Sequence, residues 1–154
     1  MSIEIRPVTI ENWQILIKLK VREDQKNFVA SNVYSIAQAH FGDEYHGHWD
    51  LFPFGIYDGD TPIGFLMYAF NFGYSKHQAY IQRLMVDENF QGKGYGRFGM
   101  EAMLRIFRAD ERIKTVGISY EPNNETGRKL YASLGFVETG EFDEGEVIAE
   151  LKLR

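Results

Sequence analysis

The first third of the chain changes from an alternating to a helical spacing of its apolar residues. Residues 3–6 alternate apolar and polar side chains, which predicts a first strand. Thr9 is a suitable N-cap, and the apolar residues after it fall on one helical face: Trp13, Leu16 and Ile17. This spacing predicts an amphipathic helix that ends near Leu19, followed by a second short helix from Ser31 or Asn32. The predicted buried side of the second helix consists of Val33, Ile36 and Ala37.

The middle of the chain has the pattern of antiparallel strands. Two apolar runs, residues 54–57 and 63–70, flank an Asp-Gly turn at residues 58–62, which is typical of a β-hairpin. A loop over residues 73–78 then leads to a further predicted strand, residues 79–86.

The second half of the chain adds two predicted helices. The first covers residues 94–108, because its apolar residues recur at helical spacing: Met100, Met103, Leu104 and Phe107. After a β-branched strand at residues 115–120, Asn123 or Asn124 caps another helix, which Gly135 ends. The apolar face of that helix consists of Gly127, Leu130, Tyr131 and Leu134.

A last predicted hairpin pairs Val137 with residues 147–153 around a turn at residues 143–145. Antiparallel strands therefore come first and strand–helix–strand crossovers come later. This order predicts an α+β fold in one domain, residues 1–154, with a mixed sheet of about six to seven strands flanked by four helices.

Composition excludes several classes of function. The 154 residues are one domain's length, and the lack of cysteine excludes disulfides, iron–sulfur clusters and thiolate nucleophiles. A formal net charge of −5 argues against nucleic-acid binding. No apolar run approaches the roughly 18 residues that a membrane span needs. Residues 1–10 lack the pattern of a signal peptide, so we expect a cytoplasmic protein that binds neither nucleic acid nor membrane.

A glycine-rich stretch connects the predicted strand that ends at residue 86 with the helix over residues 94–108. It reads Gln91-Gly92-Lys93-Gly94-Tyr95-Gly96-Arg97. Glycines here free backbone N–H groups to converge on an anion, and the positive end of the helix adds to the attraction. The strand-to-helix context favours a phosphate or pyrophosphate site over a merely flexible loop.

The stretch fits more than one phosphate-binding pattern. Residues 94–99 match GxGxxG, and Glu121 lies where a ribose-binding acid would follow in a nicotinamide or flavin enzyme. That fingerprint normally starts directly at the end of a strand in the first βαβ unit, whereas residues 87–91 intervene here. A Walker A loop is excluded because no Ser or Thr follows Lys93.

The alternative pattern is Gln-x-x-Gly-x-Gly, formed by Gln91, Gly94 and Gly96 after Leu-Met-Val-Asp at residues 84–87. Asn-Asn-Glu at residues 123–125 and Leu-Tyr-Ala-Ser-Leu-Gly-Phe at residues 130–136 follow it. Together these motifs, and the order of strands and helices over essentially the whole chain, resemble the GNAT superfamily of acyl-CoA N-acyltransferases.

Residues 19–32, 35–39 and 84–96 are also similar to bacterial spermine/spermidine N-acetyltransferases. The resemblance implies that a primary amine, with a polyamine as the first candidate, attacks the thioester of acetyl-CoA directly. It also implies that the reaction needs no metal and that the protein is a homodimer. The alternatives are a GNAT enzyme acting on a protein N-terminus, an amino acid or an antibiotic amine, and a non-catalytic acyl-CoA sensor.

The resemblance also assigns the cofactor site. The backbone of Leu84, Met85 and Val86 would pair with the pantetheine arm like an added strand. The N–H of Met85 or Val86 would donate to the thioester oxygen as negative charge develops there. The other cofactor candidates are Gln91, Gly92, Lys93, Gly94, Tyr95, Gly96, Arg97 and Asn124.

Two of the implied residues have a purely structural alternative. Tyr131 would protonate the departing thiolate, or it is a core tyrosine; both roles are compatible because a buried ring with a wet hydroxyl suits a proton donor. Asn124 would bond the cofactor arm, or it is a plain helix cap.

The resemblance leaves the base that deprotonates the amine open. Presenting an alkylamine in its neutral form at pH 7 costs about 4 kcal/mol. Some family members place a glutamate three residues before the position of Arg83, but Tyr80 stands there and is not a base at neutral pH. A water chain to Glu121, or an acid of the first helical segment, is the expectation. Candidates for binding the substrate's ammonium groups, or for a solvated face, are Glu23, Asp24, Asp43 and Glu44. Tyr80 and Glu121 are further candidates for contacting the substrate.

Residues 40–50 concentrate polar side chains: His40, Asp43, His46, His48 and Asp50. We expect a polar rim near the substrate entrance and no metal site, since no HExxH or separate third ligand accompanies them. Most of the aromatic residues before residue 81 are expected to be core or dimer contacts. The others could line a pocket or contact an amine through cation–π interactions. These aromatic residues include Phe28, Tyr34, Phe41, Tyr45, Trp49, Phe52 and Phe54.

Overall fold

The computed structural model describes residues 2–42 and 47–154, which form seven strands and four α-helices. The strands are β1 (Ile3–Pro7), β2 (Asp50–Asp58), β3 (Thr61–Phe70), β4 (Ala79–Val86), β5 (Thr115–Tyr120), β6 (Val137–Asp143) and β7 (Glu146–Lys152). The helices are α1 (Trp13–Leu16), α2 (Asn32–Phe41), α3 (Tyr95–Arg108) and α4 (Glu125–Ser133). A short 3-10 turn, Glu23–Gln25, lies between α1 and α2.

The strands form one mixed sheet with the order β1-β2-β3-β4-β5-β7-β6. Neighbouring strands are antiparallel, except that β4 and β5 run parallel. The predicted α+β fold, with its mixed sheet and four helices, is therefore confirmed. No helix within residues 2–42 and 47–154 is long and apolar enough to cross a membrane.

The parallel pair separates along half of its length. β4 pairs with β5 only at residues 79–81, opposite residues 116–118, although β4 continues to Val86. Beyond Ile81 and Ile118 the two strands leave a space between them, which we call the β4–β5 gap.

A β-bulge in β4 explains why the strands separate there. On the β3 side, Met67 pairs with Arg83 and Tyr68 with Ile81, so Gln82 is the extra residue. A bulge bends its strand and increases the local twist. Because the bulge follows directly on the last residue paired with β5, it directs the rest of β4 away from β5.

The helices cover the two faces of the sheet unequally. α3 buries the apolar residues that its spacing predicted: Met100, Met103, Leu104 and Phe107. They belong to the larger core, which also contains Tyr131 of α4 and Phe136. A smaller cluster of Phe65, Met67 and Met85 occupies the face toward residues 8–39.

The first helix is shorter than predicted. α1 ends at Leu16, not near Leu19. The following backbone is instead bound to the end of β4: the Lys20 N–H donates to Asp87 Oδ1 (3.0 Å), and the Glu88 N–H donates to the Lys20 carbonyl (2.8 Å). These long-range bonds replace helical hydrogen bonds that the local sequence would have favoured.

The predicted start of α2 is confirmed, since the helix begins at Asn32 and Ser31 caps it by accepting from the Tyr34 N–H (3.2 Å). Of its predicted buried side only Ile36 packs against the core; the rest of the prediction is wrong. Val33 is 54% exposed and Ala37 is also exposed, whereas Asn32 and Ser35 are buried.

A cation beneath α2 is the physical reason for this polar inner face. Arg83 of β4 donates from Nε to Ser35 Oγ (3.2 Å) and from Nη2 to Gln38 Oε1 (3.1 Å). Asn32 Nδ2 donates to the Leu16 carbonyl (2.8 Å). Polar side chains that satisfy a partly buried guanidinium and a buried carbonyl are more favourable there than apolar ones.

Candidate active site

The N-terminus of α3 presents free backbone donors. Its N-cap, Gly94, has no side chain, and Gly92 and Gly94 have φ values of +79° and +88°. Within residues 2–42 and 47–154 no acceptor bonds the N–H groups of residues 95–97; the first helical bond runs from the Phe98 N–H to the Gly94 carbonyl (3.1 Å). These donors and the helix dipole make a binding site for phosphate oxygens.

Two side chains of the turn, those of Gln91 and Tyr95, connect it by hydrogen bonds to other parts of the fold. Gln91 Nε2 donates to the Val86 carbonyl and to Gln25 Oε1, both at 2.9 Å. The Tyr95 hydroxyl donates to Asp58 Oδ2 at 2.6 Å, and its ring lies in the core. Tyr95 therefore offers only its backbone N–H to a ligand, while Gln91 ties the turn to β4 and to the 3-10 turn.

Two cationic side chains lie on the outside of the turn. Lys93 is exposed, with Nζ 5.8 Å from the centre of the Phe90 ring. Arg97 donates to Glu101 Oε1 (3.0 Å) and to Ser133 Oγ (2.9 Å), which joins α3 to α4. Lys93 is thus the more available of these two cations for a phosphate.

The hydrogen-bond alternation along β4 decides which of its backbone groups face the β4–β5 gap. The Asp87 N–H donates to the Ile63 carbonyl (2.8 Å), the pair that continues the β3–β4 register. Since bonding directions alternate along an antiparallel strand, the Met85 N–H points to β3, and those of Leu84 and Val86 point to the gap. The expectation of Met85 as a donor to a thioester is therefore corrected; Leu84 and Val86 are the available donors.

Tyr131 lies on α4 with its ring buried. The ring packs at 5.2 Å from the Tyr120 ring and 6.4 Å from the Phe136 ring, measured between centres. Burial raises the pKa of Tyr131 to about 12, and the nearby Tyr120 and Glu146 add to the rise. No residue in the described ranges hydrogen-bonds its hydroxyl, yet that oxygen is not sealed from solvent. The hydroxyl therefore stays protonated and can reach a ligand.

Asn124 acts as the helix cap of α4. Its Oδ1 accepts a hydrogen bond from the Gly127 N–H at 3.1 Å, which fulfils the cap prediction. Its Nδ2 has no acceptor among the residues that the structure describes and stays available as a donor.

A large acidic cleft opens beside the gap. It has a volume of about 1510 Å³ and lies between residues 27–30, α2, the Tyr80 end of β4 and the β6–β7 hairpin. Six carboxylate residues line it: Glu121, Glu141, Asp143, Glu144, Glu146 and Glu150. The Lys and Arg residues of the described lining are Lys76 and Arg83. The acidic cleft therefore favours a cationic ligand.

One wall of the acidic cleft is aromatic. Trp49 packs edge-on against Tyr74 (5.7 Å) and Tyr80 (5.9 Å), and His77 lies 5.8 Å from Tyr80 between ring centres. Burial raises the pKa of Tyr80 to about 12, so Tyr80 cannot accept a proton from an amine at neutral pH. Such rings attract an ammonium group through cation–π contacts.

A polar cluster marks the point where the acidic cleft meets the gap. Ser119, the first residue of β5 beyond the part paired with β4, donates from Oγ to Glu146 Oε1 at 3.1 Å. The Tyr80 hydroxyl lies next to Ser119. Burial is the largest influence on the Glu146 carboxyl and raises its pKa above the ordinary value, while the bond from Ser119 opposes the rise.

The structure brings some of the predicted substrate residues to the acidic cleft and leaves others away from it. Tyr80 and Glu121 line it. Glu23 and Asp24 do not; they lie exposed on the 3-10 turn, with ion pairs to Lys26 (2.6 Å) and Arg22 (3.4 Å). Their assignment to substrate binding has no support from this placement and stays a prediction.

The sequence analysis missed Ser119 and Glu146, and with them most of the acidic wall. A usable signal was present in β7, where Glu146, Ile148 and Glu150 alternate with buried Val147 and Ala149. This alternation places two carboxylates on one face of one strand.

The remaining candidates fall in different places. Asp43, Glu44, Tyr45 and His46 lie outside the described residues; the others contain no group of three or more potential metal ligands. Phe28, Tyr34 and Trp49 line the acidic cleft, as one prediction for the aromatic residues allowed. Phe52 and Phe54 instead stack on Tyr68, and Phe41 is exposed.

Comparison with known proteins agrees with this geometry. Residues 13–136 match the model of the acetyltransferase (GNAT) family. The chain is 29% identical over 147 residues to the spermine/spermidine N(1)-acetyltransferase of Bacillus subtilis (strain 168), covering 93% of each chain.

Two solved structures share the fold. The PaiA N-acetyltransferase of Thermoplasma acidophilum, in complex with coenzyme A, superposes with a TM-score of 0.70 at 22% identity over 99% of each chain. The spermidine N-acetyltransferase of Vibrio cholerae, in complex with CoA and spermine, gives 0.70 at 17% identity over 97% of this chain and 93% of that one.

Proposed function

The chain belongs to the GNAT acetyltransferase family and is an acetyl-CoA-dependent N-acetyltransferase, and from this premise we propose that its acceptor is a polyamine or a similar small primary amine. The observation that carries the proposal is the acidic cleft beside the β4–β5 gap, with its six carboxylate residues and its aromatic wall. The relative from Bacillus subtilis is named for spermine and spermidine, and the structure from Vibrio cholerae holds spermine.

The residues of the chain fit acetyl-CoA along one continuous path. The free N–H groups of residues 95–97, with Lys93 beside them, suit the pyrophosphate. The gap-facing groups of Leu84 and the Val86 N–H suit the amides of the pantetheine arm, which would lie there like an added strand. Asn124 Nδ2, which has no acceptor among the described residues, would be a further donor to that arm.

The same path ends at groups suited to the chemistry of the thioester. An N–H group of Leu84 or Val86 would donate to the thioester oxygen as negative charge develops on it. The Tyr131 hydroxyl would donate to the sulfur as the C–S bond breaks. Tyr131 can do so at any physiological pH because its raised pKa, about 12, keeps it protonated.

The acidic cleft would hold the acceptor with one ammonium group at the gap and the others along the wall. Carboxylates such as Glu121 and Glu150 neutralise the charge of a polycation. Trp49 and Tyr80 add cation–π contacts, each worth about 0.5–2 kcal/mol.

An acceptor panel tests this proposal. Thiol release from acetyl-CoA is followed with spermidine, spermine, a propylamine, an aminoglycoside and an alanine-initiated peptide, and the products are identified by mass. We expect the highest kcat/KM for spermidine or spermine. A higher kcat/KM for the peptide or the aminoglycoside than for both polyamines would contradict the polyamine assignment and leave the family assignment intact.

A further inference from the structure

Every amine acetyltransfer requires a group that removes a proton from the acceptor. The proposed acceptor is an alkylammonium ion at pH 7, and only its neutral form has the lone pair that attacks a carbonyl carbon. Tyr80, which stands where some relatives have a glutamate, is protonated at that pH. The base must therefore come from another element of the fold.

Glu146 satisfies the geometric requirements for this task. It lies at the start of β7, lines the acidic cleft, and is bonded through Oε1 to Ser119 (3.1 Å), where β5 leaves β4. It is also close enough to Tyr131 for its charge to act on that hydroxyl. A carboxylate at this position would lie between an ammonium group in the acidic cleft and a thioester in the gap.

We infer that Glu146 is the catalytic base of the reaction and that Ser119 positions it. This inference rests on the proposed function of the acidic cleft, because it assigns a role within the same site.

The surroundings of Glu146 fit a proton acceptor. It is half-buried, and burial together with Glu121, the residue after β5, and Asp143 of β6 raises its pKa. Ser119 of β5 and Arg83 of β4 act in the opposite direction and favour the charged form. Tyr80 of β4 and Tyr131 of α4 also interact electrostatically with Glu146, and both stay neutral at pH 7. A carboxylate with a raised pKa is a stronger base than an exposed one.

The proton balance closes with one proton released. Glu146 takes the first proton from the ammonium nitrogen and passes it to water of the open cleft. The nitrogen lone pair forms the C–N bond, and the C–S bond breaks with its electron pair on sulfur. Tyr131 gives the sulfur its proton and recovers one from the nitrogen, which must lose a second proton to become an amide.

The pH dependence of one variant tests the inference with a single acceptor, the amine that the wild type uses best. Glu146→Gln keeps an oxygen that accepts from Ser119 and removes the base together with one negative charge of the acidic cleft. At pH 7 we expect kcat/KM to fall by about 10²- to 10⁴-fold, the usual contribution of a general base. The deficit should shrink about tenfold per pH unit up to the pKa of the amine, because solution then supplies the neutral amine.

Two further variants separate a base from a binding charge. Glu144→Gln removes a carboxylate of the same cleft that does not contact Ser119, and we expect a higher KM with an unchanged pH profile. Ser119→Ala removes the bond that lowers the pKa of Glu146, so the acidic limb of kcat/KM should move to higher pH.

Folding is checked by the melting temperature and by the affinity for acetyl-CoA. Since the pKa of Glu146 is raised in the folded state, its charge opposes folding above the unfolded pKa. The glutamine variant should therefore melt at or above the wild-type temperature at pH 7. A constant deficit across pH 6.5–9.5, with intact folding and an active wild type, overturns the role of Glu146. A wild type that acetylates no amine overturns the proposed function itself.

Discussion

The two sides of the β4–β5 gap are built from different kinds of groups. The side that fits the cofactor uses backbone: free N–H groups of residues 95–97, gap-facing groups of Leu84, the Val86 N–H, and two glycines with positive φ. The acidic cleft uses side chains that come from α2, β4, β5 and the β6–β7 hairpin.

This difference separates what is common to many enzymes from what distinguishes this one. Backbone donors at a helix N-terminus and along a bulged strand can serve any acyl-CoA, because they recognise phosphates and amides that all of these cofactors share. Charged and aromatic side chains can be replaced one by one without changing the sheet. We therefore expect substitutions on the cofactor side to affect every acceptor equally, and substitutions in the acidic cleft to discriminate among acceptors.

On the cofactor side, removal of the Tyr131 hydroxyl is expected to have the largest effect on turnover. Tyr131→Phe keeps the buried ring, so turnover should fall by about 10²-fold or more with every acceptor, while acetyl-CoA affinity changes little. Tyr120→Phe is the matched control: it removes the neighbouring hydroxyl, which donates to Glu138 Oε1 (3.0 Å), and should leave turnover nearly normal. Turnover and melting temperature of both variants decide this, and a Tyr131→Phe enzyme within about threefold of wild type would exclude Tyr131 as the acid.

Replacing Gly94 by valine should strain the phosphate turn and lower the affinity for acetyl-CoA specifically. Gly94 has a φ of +88°, and valine at such a position costs about 1–3 kcal/mol. If the turn moves to relieve this strain, its donors lose their alignment and acetyl-CoA binds about 10- to 100-fold more weakly. Gly140→Val carries a similar strain (φ +85°) on β6 and should cost stability without changing that affinity. Calorimetry giving equal acetyl-CoA affinity for both variants would remove the phosphate-turn assignment.

Salt should reveal the charge of the acidic cleft. Ions screen exposed carboxylates, so the KM for spermidine should rise several-fold between low and high salt, when the Debye length falls from about 30 Å to about 3 Å. A monoamine of similar size should respond less, and the KM for acetyl-CoA provides the internal control. Equal salt dependence of the spermidine and monoamine constants would show that the carboxylates do not select polycations.

The smallest effect on acetyl-CoA affinity is expected from Gly96→Ala, a substitution whose effects on folding and on binding should differ. A Cβ at Gly96 would lie 3.9 Å from both Val86 Cγ2 and Leu130 Cδ2, which is ordinary contact, and alanine favours a helix. Gly96→Ala should therefore keep or raise the melting temperature. Its affinity for acetyl-CoA should fall a few-fold, because the added methyl group narrows the space between β4 and α4. A variant with unchanged affinity would show that the cofactor does not pass close to Gly96.

The sequence by itself determined the strands and helices that form because of residues close together in the chain. Residues 79–86 and 115–120 were predicted as strands with the bounds that the structure has, because β-branched and apolar residues are dense there. The helix over residues 94–108 followed from its apolar spacing, and the phosphate turn from three glycines between a strand and a helix. Each of these reasons depends on residues close together in the chain.

Tertiary structure decided the features that depend on distant partners. α1 ends early because Lys20 is bound to Asp87, and α2 turns a polar face inward because Arg83 lies beneath it. The direction of the Met85 N–H follows from the pairing with β3, which no local pattern reports. Ser119 and Glu146 are 27 positions apart, so only the pairing of β5 with β7 brings them within hydrogen-bond distance. Local spacing encodes which element forms, whereas the long-range register of the sheet determines which side chains meet.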